Sequence, residues 1–219
     1  MVSTKITSSN VAEIDAKLKT YIGDMVKIEY LENCLKQLIP NDAARFCHLK
    51  LSELYGNRMM YGPAARQMES AADKSVTYKD KLDLYLKEIE YLIKISDYLM
   101  IDKAFKKALL CGNSTAEKET IKSALKRMLI TQAIDYEKKN KRSGAVQIYE
   151  RLIEMPITND NEKKDLMGKV ASLNSKLGRL KDAIRYEQMM KRPIEKRKSQ
   201  DPDENITRVS FNDLGIDMV

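Results

Sequence analysis

From Asn10 to Lys191 the apolar residues recur at three- and four-residue intervals, and the polar breaks between the runs are short. That combination constrains the fold more than any other feature. A period near 3.6 marks helices with one buried face. Short connections then force consecutive helices to lie side by side and antiparallel. The breaks read as helix ends. Asn10-Val11-Ala12-Glu13 and Ser114-Thr115-Ala116-Glu117 have capping-box spacing, and Thr77 to Asp80 and Asn159 to Glu162 cap two further starts. Pro63 falls in a first helical turn, where its missing N–H has no partner to lose. Gly23, Pro40, Gly112, Pro156 and Gly178 close helices. The spacing predicts about ten helices, and so an all-α chain of about five antiparallel hairpins.

Composition agrees with long helices. Gly and Pro number only 8 and 5 in 219 residues, too few for many short strands and turns. Apolar residues at 43% exclude a disordered chain. The net charge of +7 suits a lysine-rich solvated surface and permits attraction to RNA or another polyanion. Cys34, Cys47 and Cys111 are odd in number and far apart, which supports neither a disulfide framework nor a zinc site. Reduced thiols in the cytoplasm fit better. The first residues lack a signal-peptide core, and no apolar run approaches the ~18 residues of a membrane span. Residues 1–9 are expected to be a flexible arm, 10–192 the helical domain, and 193–219 a mobile tail, basic and then acidic. Its last stretch, Val209 to Ile216, regains apolar residues and suits docking on the body or on a partner.

Within the helical region a small residue recurs. Ala64, Ala104, Ala145 and Ala183 are 40, 41 and 38 residues apart, a period typical of stacked solenoids. Leu51, Ser52, Tyr55, Ala64, Met68 and Ala71 form one pattern. Ala133, Tyr136, Ala145, Tyr149 and Leu152 repeat its spacing. Ala171, Gly178 and Ala183 give a weaker copy, and Ile95, Ala104 and Ala108 a degenerate one. Small residues are needed where the two helices of a hairpin cross closely, and larger ones fill the spaces between. One hairpin cannot bury both faces, so each needs the next.

Over residues 10–192 this pattern resembles the tetratricopeptide repeat family, in a long-helix variant whose period exceeds the family's ~34 residues. In helix length and pairing the chain is also similar to the soluble NSF attachment proteins. The resemblance implies a right-handed α-solenoid whose concave groove holds a peptide, a helix or a subunit of a larger complex, without a cofactor.

Catalytic signatures are missing. His48 is the single histidine and adjoins Cys47, but adjacent residues on a helix point ~100° apart and do not face each other. No phosphate-binding Gly-Lys-Ser/Thr loop and no Gly-x-Ser-x-Gly elbow occurs. Tyr85, Tyr91 and Tyr98 fall at near-heptad spacing, which places them on nearly one stripe of the fifth helix, as packing or as a partner contact. Lys138 to Arg142 form a basic cluster at a helix end, which the helix dipole favours. Lys191, Arg192, Lys196, Arg197 and Lys198 form a second, with no aromatic residue interleaved, suited to attracting RNA or an acidic protein. The expected function is a non-enzymatic, cytoplasmic adaptor or scaffold for a protein partner. The alternatives are an RNA- or ribonucleoprotein-associated accessory protein and a trafficking adaptor similar to the soluble NSF attachment proteins.

Overall fold

The computed structural model describes residues 10–191. The expected N-terminal arm and tail lie outside the described residues. Every described element is a helix: α1 (Val11–Thr20), α2 (Asp24–Leu35), α3 (Asn41–Asn57), α4 (Tyr61–Asp73), α5 (Tyr78–Ile95), α6 (Tyr98–Cys111), α7 (Thr115–Lys138), α8 (Arg142–Glu154), α9 (Asp160–Lys176) and α10 (Leu180–Lys191). From α3 onward each helix packs on the next, and α1 and α2 both pack against α3. The chain is therefore a stack of helical hairpins, α3–α4 to α9–α10, with α1 and α2 as its first layer.

The helices begin and end by two different devices. Asn10, Thr77, Ser114 and Asn159 accept backbone N–H bonds with their side chains at the starts of α1, α5, α7 and α9. These are four of the odd-numbered helices, and each bond satisfies a donor that the helix leaves free. The even-numbered α2, α4 and α8 start without a side-chain cap. The starts of α4 and α8 follow tight turns that do the work instead. At the tips of hairpins α3–α4 to α9–α10, Met59, Ser96, Asn140 and Gly178 take positive φ of 59°, 57°, 56° and 74°. The next N–H of each tip (Met60, Asp97, Lys141, Arg179) bonds back to Tyr55, Leu92, Tyr136 and Asn174 at 2.8–3.1 Å. This is a Schellman ending, repeated at four successive tips.

The tips fix a register for the repeat. In α4, α8 and α10 the fourth residue is Ala64, Ala145 and Ala183, each bonded to the residue before its helix. In α6 the corresponding residue is Ile101, bonded to Asp97. Ala104 lies nearly one turn further on and is buried there. Three residues before the Schellman acceptors come Ser52, Ile89, Ala133 and Ala171, all buried. Three hairpins thus pair small residues at the crossing, Ser52 with Ala64, Ala133 with Ala145 and Ala171 with Ala183. The α5–α6 hairpin carries Ile89 and Ile101 instead.

Packing divides the interior in two. Ile14, Leu18, Ile28, Leu31, Cys34, Cys47 and Leu51 close a core under α1–α3. A larger core runs from Ala65 in α4 to Leu173 in α9. Polar links bridge one hairpin to the next. Among even-numbered helices Glu69 pairs with Lys107 at 2.7 Å, Asp102 with Arg151, and the Tyr186 hydroxyl donates to Glu150 at 2.9 Å. Among odd-numbered ones Lys126 meets Glu162 at 2.7 Å. Each exposed pair contributes at most ~1 kcal/mol.

Candidate interaction surface

Antiparallel stacking puts the hairpin tips along one edge and the links between hairpins along the other. The tip edge is continuous over three hairpins. The Tyr61 and Tyr91 rings stack with centroids 6.1 Å apart and planes 22° off parallel. Lys94 Nζ lies over both, 4.7 Å from the Tyr61 centroid and 5.9 Å from that of Tyr91, close enough for cation–π attraction. Gly56 lets Tyr91 approach: a Cβ there would stand 2.6 Å from the hydroxyl. Further along, the Tyr136 ring covers Gly144, its hydroxyl lies 3.4 Å from Ser96 Oγ, and Lys141 Nζ sits 6.0 Å from its centroid.

Large apolar side chains project from the same edge. Met59 is 76% exposed and Leu99 67%, with Met60 and Ile95 beside them in sequence; at the last tip Leu180 is 60% exposed and Ile184 53%. At Met59 the tight turn explains the projection. A residue in the left-handed conformation reverses the chain, and its side chain is left outside the helix crossing.

Charge separates the two edges. The tip connections and the residues bordering them carry Arg58, Lys138, Lys139, Lys141, Arg142, Lys176 and Arg179 against Asp24 and Asp97. Asp97 is occupied in capping α6. The links carry Lys36 and Lys74 against Asp73, Glu154 and Asp160. Helix dipoles account for only part of this. They favour acids at N-termini, and α1, α3, α5, α7 and α9 each hold one in the first turn. At the tip edge α4, α6 and α8 hold none. Lys138 and Lys139 suit the C-terminus of α7, but Lys141 and Arg142 stand at the N-terminus of α8, where the dipole opposes them.

The tyrosines singled out in the sequence are not one stripe. Tyr85 is buried in the larger core. Tyr91 is half-buried in the stack with Tyr61, and Tyr98 is the first residue of α6, half-buried and not on α5. Lys191 is exposed at the end of α10, whereas Arg192, Lys196, Arg197 and Lys198 lie outside the described residues. Of the repeat positions, Leu51, Met68, Ala71, Tyr149 and Leu152 are buried, Tyr55 and Tyr136 half-buried, and Gly178 exposed at its turn.

Other clusters have structural explanations. His48 Nδ1 lies 2.7 Å from Gln67 Oε1, while a hydrogen bond with Cys34 and burial push the Cys47 thiol far up. The adjacent pair is thus turned to different partners. Between α1 and α3 an open notch of about 710 Å³ is bordered by Val11, Asp15, Lys19, Asp42, Phe46 and Lys50. Lys19 pairs with Asp15 across one helical turn and Lys50 with Glu53. Among the described residues no group of His, Cys, Asp and Glu is placed to hold a metal ion, and no helix is long and apolar enough to cross a membrane.

Glu88 had no signal in the sequence, because its place on α5 fits a solvated face as well as a buried one. It is 2% exposed, and its Oε2 has no hydrogen-bond partner. Burial, then the neighbouring Glu69 carboxylate, raise its pKa to about 8, with Lys107 opposing and Asp73 adding to the rise.

No protein-family model matches the sequence. No curated protein matches it as a relative. Among solved structures, the crystal structure of MamA is similar over 84% of this chain and 94% of its own length, at 13% identity and a TM-score of 0.35. So distant a likeness adds nothing to the site, and the fold rests on the helices and tips described above.

Proposed function

We propose that this chain is a non-enzymatic scaffold of the tetratricopeptide type that holds a protein partner, with the tip edge as its main contact surface. The observation that carries the reading is the surplus of cations along one edge that also bears projecting apolar side chains; Leu38, Val76, Tyr78 and Leu110 are exposed at the links too, so it is the charge that singles out the tip edge. The cations give that partner's charge: it is acidic where it meets Lys138, Lys141 and Arg179, and apolar where it meets Met59 and Leu99. Fold alone does not decide function, so the reading stands on this surface. The cytoplasm suits three unpaired, buried thiols.

A second reading, association with RNA or a ribonucleoprotein, is favoured by one feature, the Tyr61–Tyr91 stack beneath Lys94. Aromatic rings beside cations serve single-stranded nucleic acid. Affinity purification of the tagged chain from its own cells, with and without nuclease, followed by mass spectrometry, separates the two. A stoichiometric protein that survives nuclease supports the scaffold. Recovery only of RNA-bound proteins, lost on nuclease treatment, replaces it with the second reading.

A further inference from the structure

The tip edge is basic and apolar, and the same chain carries its complement. Residues 201–219 hold Asp201, Asp203, Glu204, Asp213 and Asp217 against a single cation, Arg208. Among them stand Val209, Phe211, Leu214 and Ile216. The opposite edge, with Lys36 and Lys74 against Asp73, Glu154 and Asp160, offers such a segment no surplus of cations. At the tip edge nearest the tether, Leu180 and Ile184 project from α10 four residues apart, and α10 packs chiefly on α9, with Tyr186 reaching Glu150 of α8. Lys176 and Arg179 flank them, and the cations at the tip of α7–α8 follow. On an outer face of α10 that is otherwise polar, with Lys181, Asp182, Arg185, Glu187 and Gln188 exposed, these two apolar side chains stand uncovered.

The tether is long enough. α10 begins at the tip edge and its 12 residues run ~18 Å away from it, at 1.5 Å per residue. Residues 192–200 can span up to ~30 Å when extended, so the acidic segment can return along α10 to the edge where that helix starts.

We propose that residues 201–219 dock on the chain's own tip edge, over Leu180 and Ile184 and against Arg179, Lys138 and Lys141. The segment supplies carboxylates to meet this edge's cations and apolar side chains to cover Leu180 and Ile184. If the tip edge is also the partner surface, as proposed above, the segment competes with the partner; that consequence rests on the scaffold reading, and the docking itself does not.

Paramagnetic relaxation in the full-length chain tests it. Ser210→Cys carries a nitroxide, the native thiols being buried, and amide signals of a ¹⁵N-labelled sample are read. The expected result is loss of intensity at residues 138–142 and 179–185 at low salt. The signals recover at high salt and in the triple variant Lys138→Glu, Lys141→Glu, Arg179→Glu, whose circular dichroism stays helical. Unchanged intensity at both stretches, or equal loss along the link edge, overturns the proposal. So does loss that appears only when nitroxide-bearing chains are mixed with separate ¹⁵N chains, since the contact is then between copies. The readout needs no partner, so its failure leaves the scaffold reading standing, and failure of partner capture leaves the docking standing.

Discussion

The hydroxyl of Ser52 donates to the carbonyl oxygen of Ala64 at 2.8 Å, across the crossing of α3 and α4. Both residues are fully buried. The bond shows why a small polar residue is suited to this site: it satisfies its own hydroxyl while letting two backbones approach. Ser52→Ala is expected to lose ~0.5–1.5 kcal/mol, the net worth of one hydrogen bond. Ser52→Val adds bulk at the crossing and is expected to lose ~1–3 kcal/mol. Urea unfolding of both variants checks the order, and an equal or smaller loss for valine would mean that the crossing is loose.

Gly144 is the same argument without a hydrogen bond. Glycine to alanine inside a helix ordinarily gains ~1 kcal/mol. Here the added Cβ would stand 2.7 Å from the Tyr136 ring. Gly144→Ala is therefore expected to destabilise, by ~1–3 kcal/mol, and Gly144→Ala with Tyr136→Leu to recover part of the loss. Thermal melts of the single and double variants measure it.

The tips make a prediction of opposite sign. Met59 holds a left-handed conformation that costs an L-residue ~1–2 kcal/mol, and its side chain is 76% exposed. Met59→Gly relieves that strain and loses little packing, against a greater unfolded-state entropy. A net gain of ~0.5 kcal/mol is expected. At the last tip the change runs the other way: Gly178→Ala imposes the strain and is expected to lose ~1 kcal/mol.

Glu88 sets a pH dependence. Its folded pKa, about 8, lies above the ordinary carboxylate value, so between the two the folded chain holds a proton that the unfolded chain releases. The neutral form's contribution is fully present below the unfolded pKa. It is lost as pH rises through about 8, where the carboxylate faces Glu69 and Asp73 on α4 with only Lys107 on α6 opposing. Glu88→Gln keeps the shape and removes the charge. The variant is expected to melt close to the wild type at pH 5 and above it at pH 9, by a few kcal/mol, since each tenfold change in proton affinity is worth ~1.4 kcal/mol. Parallel pH profiles for the two proteins would refute the assignment.

The helices themselves were legible in the sequence, and the reason is local. Asn10, Thr77, Ser114 and Asn159 announce their caps, and Gly178 its turn. The third hairpin was not. Its tip is Ser96, with no glycine or proline to mark the reversal before α6 begins at Tyr98. Two consequences follow. Tyr98 falls on a different helix from Tyr85 and Tyr91, and the repeat alanine is sought at Ala104 when the equivalent position is Ile101. The tip edge was illegible for another reason. Met59, Leu99 and Leu180 are distant in sequence, each unremarkable alone, and only antiparallel stacking places them in one row. Charge asymmetry between edges likewise cancels in a net charge of +7.

The most direct test of the scaffold account compares two charge reversals of equal size. Lys138→Glu, Lys141→Glu, Arg179→Glu changes the tip edge, and Lys36→Glu, Lys74→Glu, Lys79→Glu, the last in the first turn of α5, changes the link edge. Each is purified with its partners from host cells after nuclease treatment, beside the wild type, and the recovered proteins are quantified. The account predicts that the tip variant loses the partner while the link variant keeps it. Retention by both, or loss by the link variant alone, would contradict it.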